Sequence, residues 1–214
     1  MARGGPIKNP ASIEDSDASL ALLSAAEACL RKYGYAGLST RKVAEMAEMP
    51  LSQIHYHFGT KKNLLLEVFR RHNARLLERQ ARMFGEQLPL WRRWEQACDF
   101  LDEDIESGYV RVLQELAAAG FSDPEIAGEF RGLMGRWFDL LVTVASEAGE
   151  RFGGLGPFSP KEMAALIGAV FMGAETMMLV GFTEKERPIR AALRKFGDLI
   201  KLAEEQAADK QSET

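Results

Sequence analysis

Three observations predict that this 214-residue chain is an all-α protein with about nine helices. Apolar residues recur every three or four positions, which is the period of one helix face. Breaks rich in Gly, Pro and Ser separate these segments, and no alternating strand pattern of useful length occurs. The composition, 46% hydrophobic and 27% charged, is typical of a folded chain and argues against disorder or a disulfide scaffold.

The first predicted helix follows an irregular N-terminal segment. Residues 1–16 carry Gly, Pro, Asn and Ser without apolar periodicity, which predicts a flexible arm. From Asp17 onward, apolar residues mark one helix face, and Gly34 with Gly37 supplies a stop and a turn. The positions on this face are Leu20, Leu23, Ala26, Leu30 and Tyr33.

Three further helices are predicted before the middle of the chain. Ser39 can cap a short second helix, which ends before Pro50 because proline disfavours the helical conformation in the preceding residue. A third helix is expected from about Leu51 to Phe58. Thr60 then caps a longer fourth helix.

The rest of the chain continues in the same style. The best helical pattern runs from Pro160 to Gly181, and a last helix begins near Ile189. The intervening breaks fall at Pro89 and at residues 107–108, 122–124, 149–160 and 183–188. We therefore predict an arm (1–16), a helix-turn-helix domain of three helices (17–66), a second helical domain (67–205) and a polar tail (206–214).

Charge divides the chain into a basic and an acidic part. Residues 1–82 contain 13 Lys and Arg against 8 Asp and Glu, whereas residues 83–214 contain 14 against 23. Within residues 31–82 the balance is 11 basic to 4 acidic residues. Such an excess is expected of a surface that neutralises nucleic-acid phosphates, although a merely solvated basic face would have the same composition.

The second and third helices have the spacing of a helix-turn-helix motif, with Glu48, Met49 and Pro50 between them. At about 100° per residue, Ile54 and Phe58 share one side of the third helix. Polar and aromatic residues occupy the other side, which makes this helix the candidate reading helix. These residues are Ser52, Gln53, Tyr56 and His57.

These side chains suit a DNA major groove. Gln53 can pair with an adenine edge, Ser52 and His57 can bond bases or phosphates, and Tyr56 can reach a phosphate oxygen. Leu51 lies at the boundary, where it could touch a thymine methyl group or simply pack. The N-termini of two other predicted helices flank this face and carry positive charge. The second helix begins with Thr40 and Arg41, and the fourth begins with Lys61 and Lys62.

These residues resemble the N-terminal signature of the TetR family of bacterial transcriptional regulators. The matching positions are Thr40-Arg41-Lys42-Val43-Ala44, Ala47, Ile54-His55-Tyr56-His57-Phe58-Gly59-Thr60-Lys61 and Leu64. The sequence departs from the family pattern at Glu48, where the family usually has Gly, and at His55, where it usually has an aromatic residue.

The resemblance implies a role for each matching position. Arg41, Ser52 and Gln53 become base readers. Phosphate or mixed contacts are implied for Thr40, His55, Tyr56, His57 and Lys61. The resemblance further implies a homodimer joined through the last two long helices, a ligand cavity in the C-terminal domain, and release from a palindromic double-stranded DNA operator by a small-molecule effector.

Large aromatic and Met side chains in the second domain suit an apolar ligand cavity, although such residues fill ordinary cores more often. Glu175 stands out because it lies between Phe171 and Met178 on an apolar helix, and a buried carboxylate needs a partner. It could also face water at an interface edge. The candidate cavity residues are Trp91, Trp94, Phe100, Tyr109, Leu113, Met134, Trp137, Phe138, Phe171 and Glu175.

Other classes of function are less well supported by the sequence. We expect no catalytic site, cofactor or metal: recognised nucleophile and phosphate-loop motifs are absent, and His55 and His57 diverge by about 200° on a helix. The apolar stretch from Ala164 is interrupted before the roughly 20 residues of a membrane span, so we expect no membrane span. No apolar block follows residues 1–10, and the only two cysteines, Cys29 and Cys98, show no paired spacing, so we expect a cytoplasmic protein. A ligand-independent helical DNA-binding or scaffold protein is the alternative function.

Overall fold

The computed structural model describes residues 16–212, which form nine helices and no strand, as the sequence predicted for the fold class. Almost all of the predicted arm (1–16) lies outside the described residues, as do residues 213–214 of the predicted tail. The chain divides into two compact units, with the division after Phe69.

The first unit contains three complete helices and the start of a fourth. These are α1 (Asp17–Gly37), α2 (Thr40–Met46), α3 (Leu51–His57) and the beginning of α4 (Lys61–Gly85). Gly34 has a φ of 66° and a non-helical ψ, so α1 kinks there. Glycine tolerates this left-handed region because it lacks a Cβ, which explains the predicted stop at this position.

Short polar side chains start these helices where the sequence predicted them. The Ser39 hydroxyl accepts a hydrogen bond from the Lys42 amide at 3.2 Å, and the Thr60 hydroxyl accepts one from the Asn63 amide at 3.1 Å. In the turn between α2 and α3, Glu48 adopts a φ of 53°. A non-glycine residue is strained in this region, so the family's usual glycine would relieve strain there.

The apolar faces of the first unit form one small core. Each large side chain that is fully buried contributes about 1.5 to 3 kcal/mol to folding. The core therefore fixes α2 and α3 against α1. It includes Leu22, Ala26, Cys29, Leu30, Leu38, Val43, Ala44, Ile54, Phe58, Leu64 and Leu65.

The second unit is formed by the rest of α4 and five further helices. They are α5 (Leu90–Ser107), α6 (Tyr109–Gly120), α7 (Pro124–Phe152), α8 (Pro160–Leu179) and α9 (Ile189–Ser212). The helix α7 packs against α6 and α8, and α9 packs against α5. Because α9 continues to Ser212, the described part of the predicted polar tail extends this helix.

A close approach between α7 and α8 depends on one glycine. A Cβ atom added to Gly168 would lie 2.3 Å from Cε1 of Phe138, which is well inside van der Waals contact. The Phe138 ring of α7 therefore occupies the space that a side chain at position 168 would need.

Replacing Gly168 by Ala should lower the free energy of unfolding by about 1 to 3 kcal/mol, because the Phe138 ring must move or leave its rotamer. Urea denaturation followed by circular dichroism measures this change. Gly132→Ala is the matched control, since a Cβ there meets no atom within 4 Å. The control should gain stability from helix propensity. Equal effects of the two substitutions would contradict the packing described.

Among the described residues, one helix is long and apolar enough to cross a membrane by length and composition alone: α8, Pro160–Leu179. The sequence pattern predicts that this apolar stretch ends too soon for a membrane span. The helix is in fact long and apolar enough, because small residues and Thr176 lower its mean hydropathy only slightly. One side of α8 is nevertheless buried in the protein at Ala164, Phe171 and Ala174. Its opposite side exposes Leu166, Val170 and Met177.

Candidate nucleic-acid interface and ligand cavity

The helix α3 has one buried apolar side and one exposed polar side. Ile54 is fully buried and Phe58 is 3% exposed, so these two residues anchor the helix to the first unit. The Tyr56 side chain, by contrast, is 75% exposed. The Tyr56 side chain is therefore accessible to a partner molecule.

The other predicted DNA contacts of α3 lie around Tyr56. Ser52 and His55 are exposed, whereas Leu51, Gln53 and His57 are half-buried. Nδ1 of His55 donates a hydrogen bond to the Gly59 carbonyl at 3.1 Å, because a carbonyl oxygen only accepts. This bond fixes the ring at the end of α3 and leaves Nε2 as the nitrogen for an outside partner. The rings of Tyr56 and His57 pack edge to face.

Two predicted contacts lie at the start of α2. Arg41 is exposed and Thr40 is half-buried, directly after the Ser39 cap. A guanidinium group at this place suits a phosphate or a guanine edge.

Lys61 has a structural role that the sequence did not indicate. Its Nζ donates to the Tyr35 carbonyl at 2.9 Å and lies 4.4 Å from the centroid of the Tyr35 ring. Partial burial lowers the pKa of this ammonium group. The predicted phosphate contact of Lys61 therefore competes with a contact inside the unit, in which a Lys at the start of α4 satisfies a carbonyl near the end of α1.

The second unit contains a cavity of about 320 Å³, within the size range of ligand pockets. Its wall is mainly apolar and is formed by side chains from all six helices of the unit, α4 to α9. Seven predicted residues line it: Trp94, Tyr109, Leu113, Met134, Trp137, Phe171 and Glu175.

Three predicted cavity residues lie elsewhere. The Trp91 ring is covered by the Arg92 guanidinium at 4.1 Å and by the Lys201 ammonium at 5.1 Å. The Phe100 ring stacks under Arg79, and Phe138 fills the space beside Gly168. Each of these aromatic residues lies on a helix of the second unit, but its ring points away from the side of that helix that lines the cavity. Composition alone could not distinguish the two cases.

The sequence did not indicate the polar residues of the cavity wall other than Tyr109 and Glu175. Asn73 and Gln80 of α4 and Arg93 and Asp104 of α5 line it. Asn73 is 1% exposed and donates to the Leu133 carbonyl at 3.4 Å. Arg93 had a detectable signal, since it lies beside Trp94 in the series Leu90, Ala97 and Leu101 that marks the inner face of α5. No comparable pattern identified Asp104 or Gln80.

Glu175 has the amide partner that its position required. Nε2 of Gln114 donates to its carboxylate at 3.1 Å, and the Thr176 hydroxyl donates to Oε1 of the same amide at 3.2 Å. Burial raises the pKa of Glu175 to about 7, the Gln114 hydrogen bond opposes this shift, and the negative charge of Asp104 adds to it. The carboxyl group is therefore close to its titration midpoint at neutral pH.

The guanidinium groups of Arg93 and Arg79 near the cavity are already paired, and Arg93 is buried whereas Arg79 is half-buried. Arg93, 2% exposed, donates to both carboxylate oxygens of Glu147 at 2.8 Å and to the carbonyls of Leu88 and Phe84. Arg79 forms ion pairs with Glu103 and Asp104. These guanidinium groups hold helices together, and their charges are compensated within the protein.

Comparison with known proteins gives a family for the first unit and a fold for most of the chain. Residues 22–68 match the family model described as bacterial regulatory proteins, tetR family. No curated protein sequence matches the chain. Within the described residues, no group of three His, Cys, Asp or Glu side chains is placed to hold a metal ion.

Several solved structures share the fold at low sequence identity. A transcriptional regulator from Saccharomonospora viridis in complex with choline has a TM-score of 0.72 and 20% identity, covering 85% of this chain and 96% of that chain. FadR from Bacillus subtilis in complex with stearoyl-CoA has a TM-score of 0.71 and 14% identity, with the same coverage. A TetR regulator from Haloarcula marismortui has a TM-score of 0.71 and 19% identity, covering 86% and 97%. At these identities the likeness establishes the fold.

Proposed function

Because this chain is a TetR-family DNA-binding transcriptional regulator, we propose that it is a repressor that binds a palindromic operator as a homodimer and leaves it when a small apolar or amphipathic molecule binds. The observation that carries this proposal is the exposed polar side of α3, opposite the buried Ile54 and Phe58. A DNA partner places the protein in the cytoplasm.

The side chains on and beside α3 divide into two kinds of contact. Arg41, Ser52 and Gln53 read base edges, since their donors and acceptors match those of the major groove. Thr40, His55, Tyr56 and His57 bind phosphates and set the register of the helix on the duplex. Lys61 adds positive charge at this surface while it stays bonded to the Tyr35 carbonyl.

The exposed apolar sides of α8 and α9 support a homodimer. Large apolar side chains are exposed along both helices, and a monomer rarely leaves such a surface in water. Pairing α8 and α9 with their copies across a twofold axis would bury this surface and would account for the membrane-like composition of α8. The exposed residues are Leu166, Val170 and Met177 on α8 and Phe196, Leu199 and Leu202 on α9.

The cavity supports the effector part of the proposal. It has a suitable volume and an apolar wall, and two proteins of the same fold were solved with bound small molecules, choline and stearoyl-CoA. The helix α4 begins in the first unit at Lys61, and its later residues Leu76, Gln80 and Phe84 line the cavity. An effector lowers DNA affinity only through its different affinities for the DNA-bound and released states.

Replacing Gln53 by Ala should weaken operator binding by about 1 to 3 kcal/mol and leave binding to random duplex DNA unchanged, because the lost contact is to a base edge. Fluorescence anisotropy with the two duplexes measures both affinities at one salt concentration. The matched control is Gln87→Ala, since Gln87 is exposed between α4 and α5. Equal weakening on both duplexes would show that Gln53 does not read sequence.

A selection of bound fragments from random DNA tests the function itself. The expected result is an enriched palindrome whose affinity falls steeply with salt, with a log-log slope of about −0.9 for each neutralised phosphate. Absence of enrichment, or an affinity that does not change with salt, would favour the helical scaffold protein instead.

A further inference from the structure

The cavity of the second unit combines a mainly apolar wall with carboxylates at one place, Glu175 on α8 and Asp104 on α5. We propose that its ligand is an apolar organic cation, an amine or quaternary ammonium compound, whose positive charge pairs with the carboxylate of Glu175. The role of this ligand as the effector rests on the function proposed above.

Glu175 is the carboxylate that lacks a positive partner. Its hydrogen bond comes from the neutral amide of Gln114, and no Lys, Arg or His among residues 16–212 forms an ion pair with it. Asp104 is different, because Arg79 forms an ion pair with it. A half-buried carboxylate that lines an apolar cavity without a cation is costly, and a cationic ligand would remove that cost.

An anionic ligand would find no available cation in this wall. Arg93 is the one basic residue that lines the cavity within the described chain, and its donors are bonded to Glu147 and to the Leu88 and Phe84 carbonyls. A ligand carboxylate would have to break that buried ion pair, which costs several kcal/mol. It would also meet the negative charge of Glu175. The wall therefore discriminates against acids.

Aromatic rings surround the same place and suit a cation with an apolar body. Phe171 and Glu175 are four residues apart on α8, so they lie on the same side of that helix. The Trp94 ring packs edge to face on Phe171, with centroids 5.5 Å apart. Trp137 and Tyr109 complete the aromatic part of the wall. Ring faces attract cations while the remaining apolar surface takes the hydrocarbon part of the ligand.

The pH dependence of binding follows from the groups that face Glu175. Asp104 of α5 raises the pKa of Glu175, and its own charge is balanced by Arg79 of α4. Tyr109 of α6 stays neutral, because burial raises the pKa of its hydroxyl group. His72 of α4 stacks on the Tyr109 ring, and α7 and α9 present apolar side chains to the cavity. Since Glu175 ionises near pH 7, cation affinity should rise about tenfold from pH 6 to pH 8.

Three probes with one decyl chain test the preference: decyltrimethylammonium and decanoate below their micelle concentrations, and decanol below its solubility limit. Titration calorimetry and quenching of the Trp94 and Trp137 fluorescence report binding to the full-length protein without DNA. At pH 8 the ammonium compound should bind at least about tenfold more tightly than decanol, with decanoate weakest. Decanol or decanoate binding as tightly as the cation would overturn the proposal.

Two variants locate the effect. Glu175→Gln should remove the advantage of decyltrimethylammonium over decanol and the pH dependence between 6 and 8, while decanol affinity stays unchanged. The control is Glu106→Gln, which also removes one negative charge, but from an exposed glutamate. This variant should bind all three probes as the wild type does. A Glu175→Gln protein that keeps the preference for the cation would show that this carboxylate does not select the ligand.

A DNA-release assay separates this inference from the proposed function. If decyltrimethylammonium binds the wild type more tightly than Glu175→Gln and yet leaves operator affinity unchanged, that result supports the ligand class and contradicts the effector role. Decanoate that releases DNA while the ammonium compound does not bind contradicts the ligand class and supports the effector role.

Discussion

Replacing Val170 by Glu should make the protein monomeric and lower its operator affinity more than about 100-fold. Val170 lies on the exposed apolar side of α8, where a twofold axis would bring each new carboxylate into an apolar interface. Loss of the dimer removes the advantage of binding two half-sites at once, which is worth about 10²- to 10⁴-fold. Light scattering gives the mass, and anisotropy gives the DNA affinity.

The control for this substitution is Phe121→Glu. Phe121 is 89% exposed, but it lies between α6 and α7, outside the α8 and α9 surface. The control should remain dimeric and bind the operator normally. Leu202→Glu on α9 should reproduce the effect of Val170→Glu. A Val170→Glu protein that remains dimeric would mean that the interface lies on another surface.

Replacing Glu147 by Gln should lower the free energy of unfolding by about 3 kcal/mol at neutral pH. The change leaves the buried Arg93 guanidinium without its counter-charge, and breaking one side of a buried ion pair is expensive. Chemical denaturation at matched protein concentrations measures the loss, since the dimer proposed above would make stability depend on concentration. Glu129→Gln is the control, because both side chains of the Arg70–Glu129 ion pair are 37% exposed and the pair should contribute less than about 1 kcal/mol.

The same ion pair predicts how stability depends on pH. Hydrogen bonds from Arg93 lower the pKa of Glu147 from its usual value of 4.5. The folded state therefore binds its proton less readily than the unfolded state. The stabilisation is complete above pH 4.5 and is lost as the pH falls through the lowered value. Glu147→Gln should flatten this acid-side slope. An unchanged slope would show that Glu147 is not a source of the acid sensitivity.

Local chemistry made the first unit predictable from sequence. Ser39 and Thr60 cap helices, and Pro50 ends the turn between α2 and α3. These effects could be predicted because each residue acts on backbone groups within three residues of itself. The helical spacing of the apolar residues Ile54 and Phe58 then identified the buried side of α3 and, opposite to it, the exposed side. The sequence could not show that Lys61 reaches the Tyr35 carbonyl, since that contact joins residues 26 positions apart and depends on how the helices pack.

The cavity was predictable in composition and only partly in detail. Trp91 and Trp94 are three residues apart on α5, yet only Trp94 lines the cavity, because the rotation of α5 about its axis is set by its packing on α9. Glu175 could be recognised as a carboxylate on an apolar helix. The sequence could not show that Gln114 and Asp104 lie beside Glu175, since three separate helices bring these groups together.

A photo-crosslink from position 56 tests most directly whether the exposed side of α3 enters DNA. The tyrosine is replaced by p-azidophenylalanine, which keeps the ring, and the protein is irradiated on its operator. We expect a crosslink to operator bases or sugars, and none from the same residue placed at position 121. A variant that still binds the operator but forms no crosslink from position 56 would show that this side of α3 does not enter the groove.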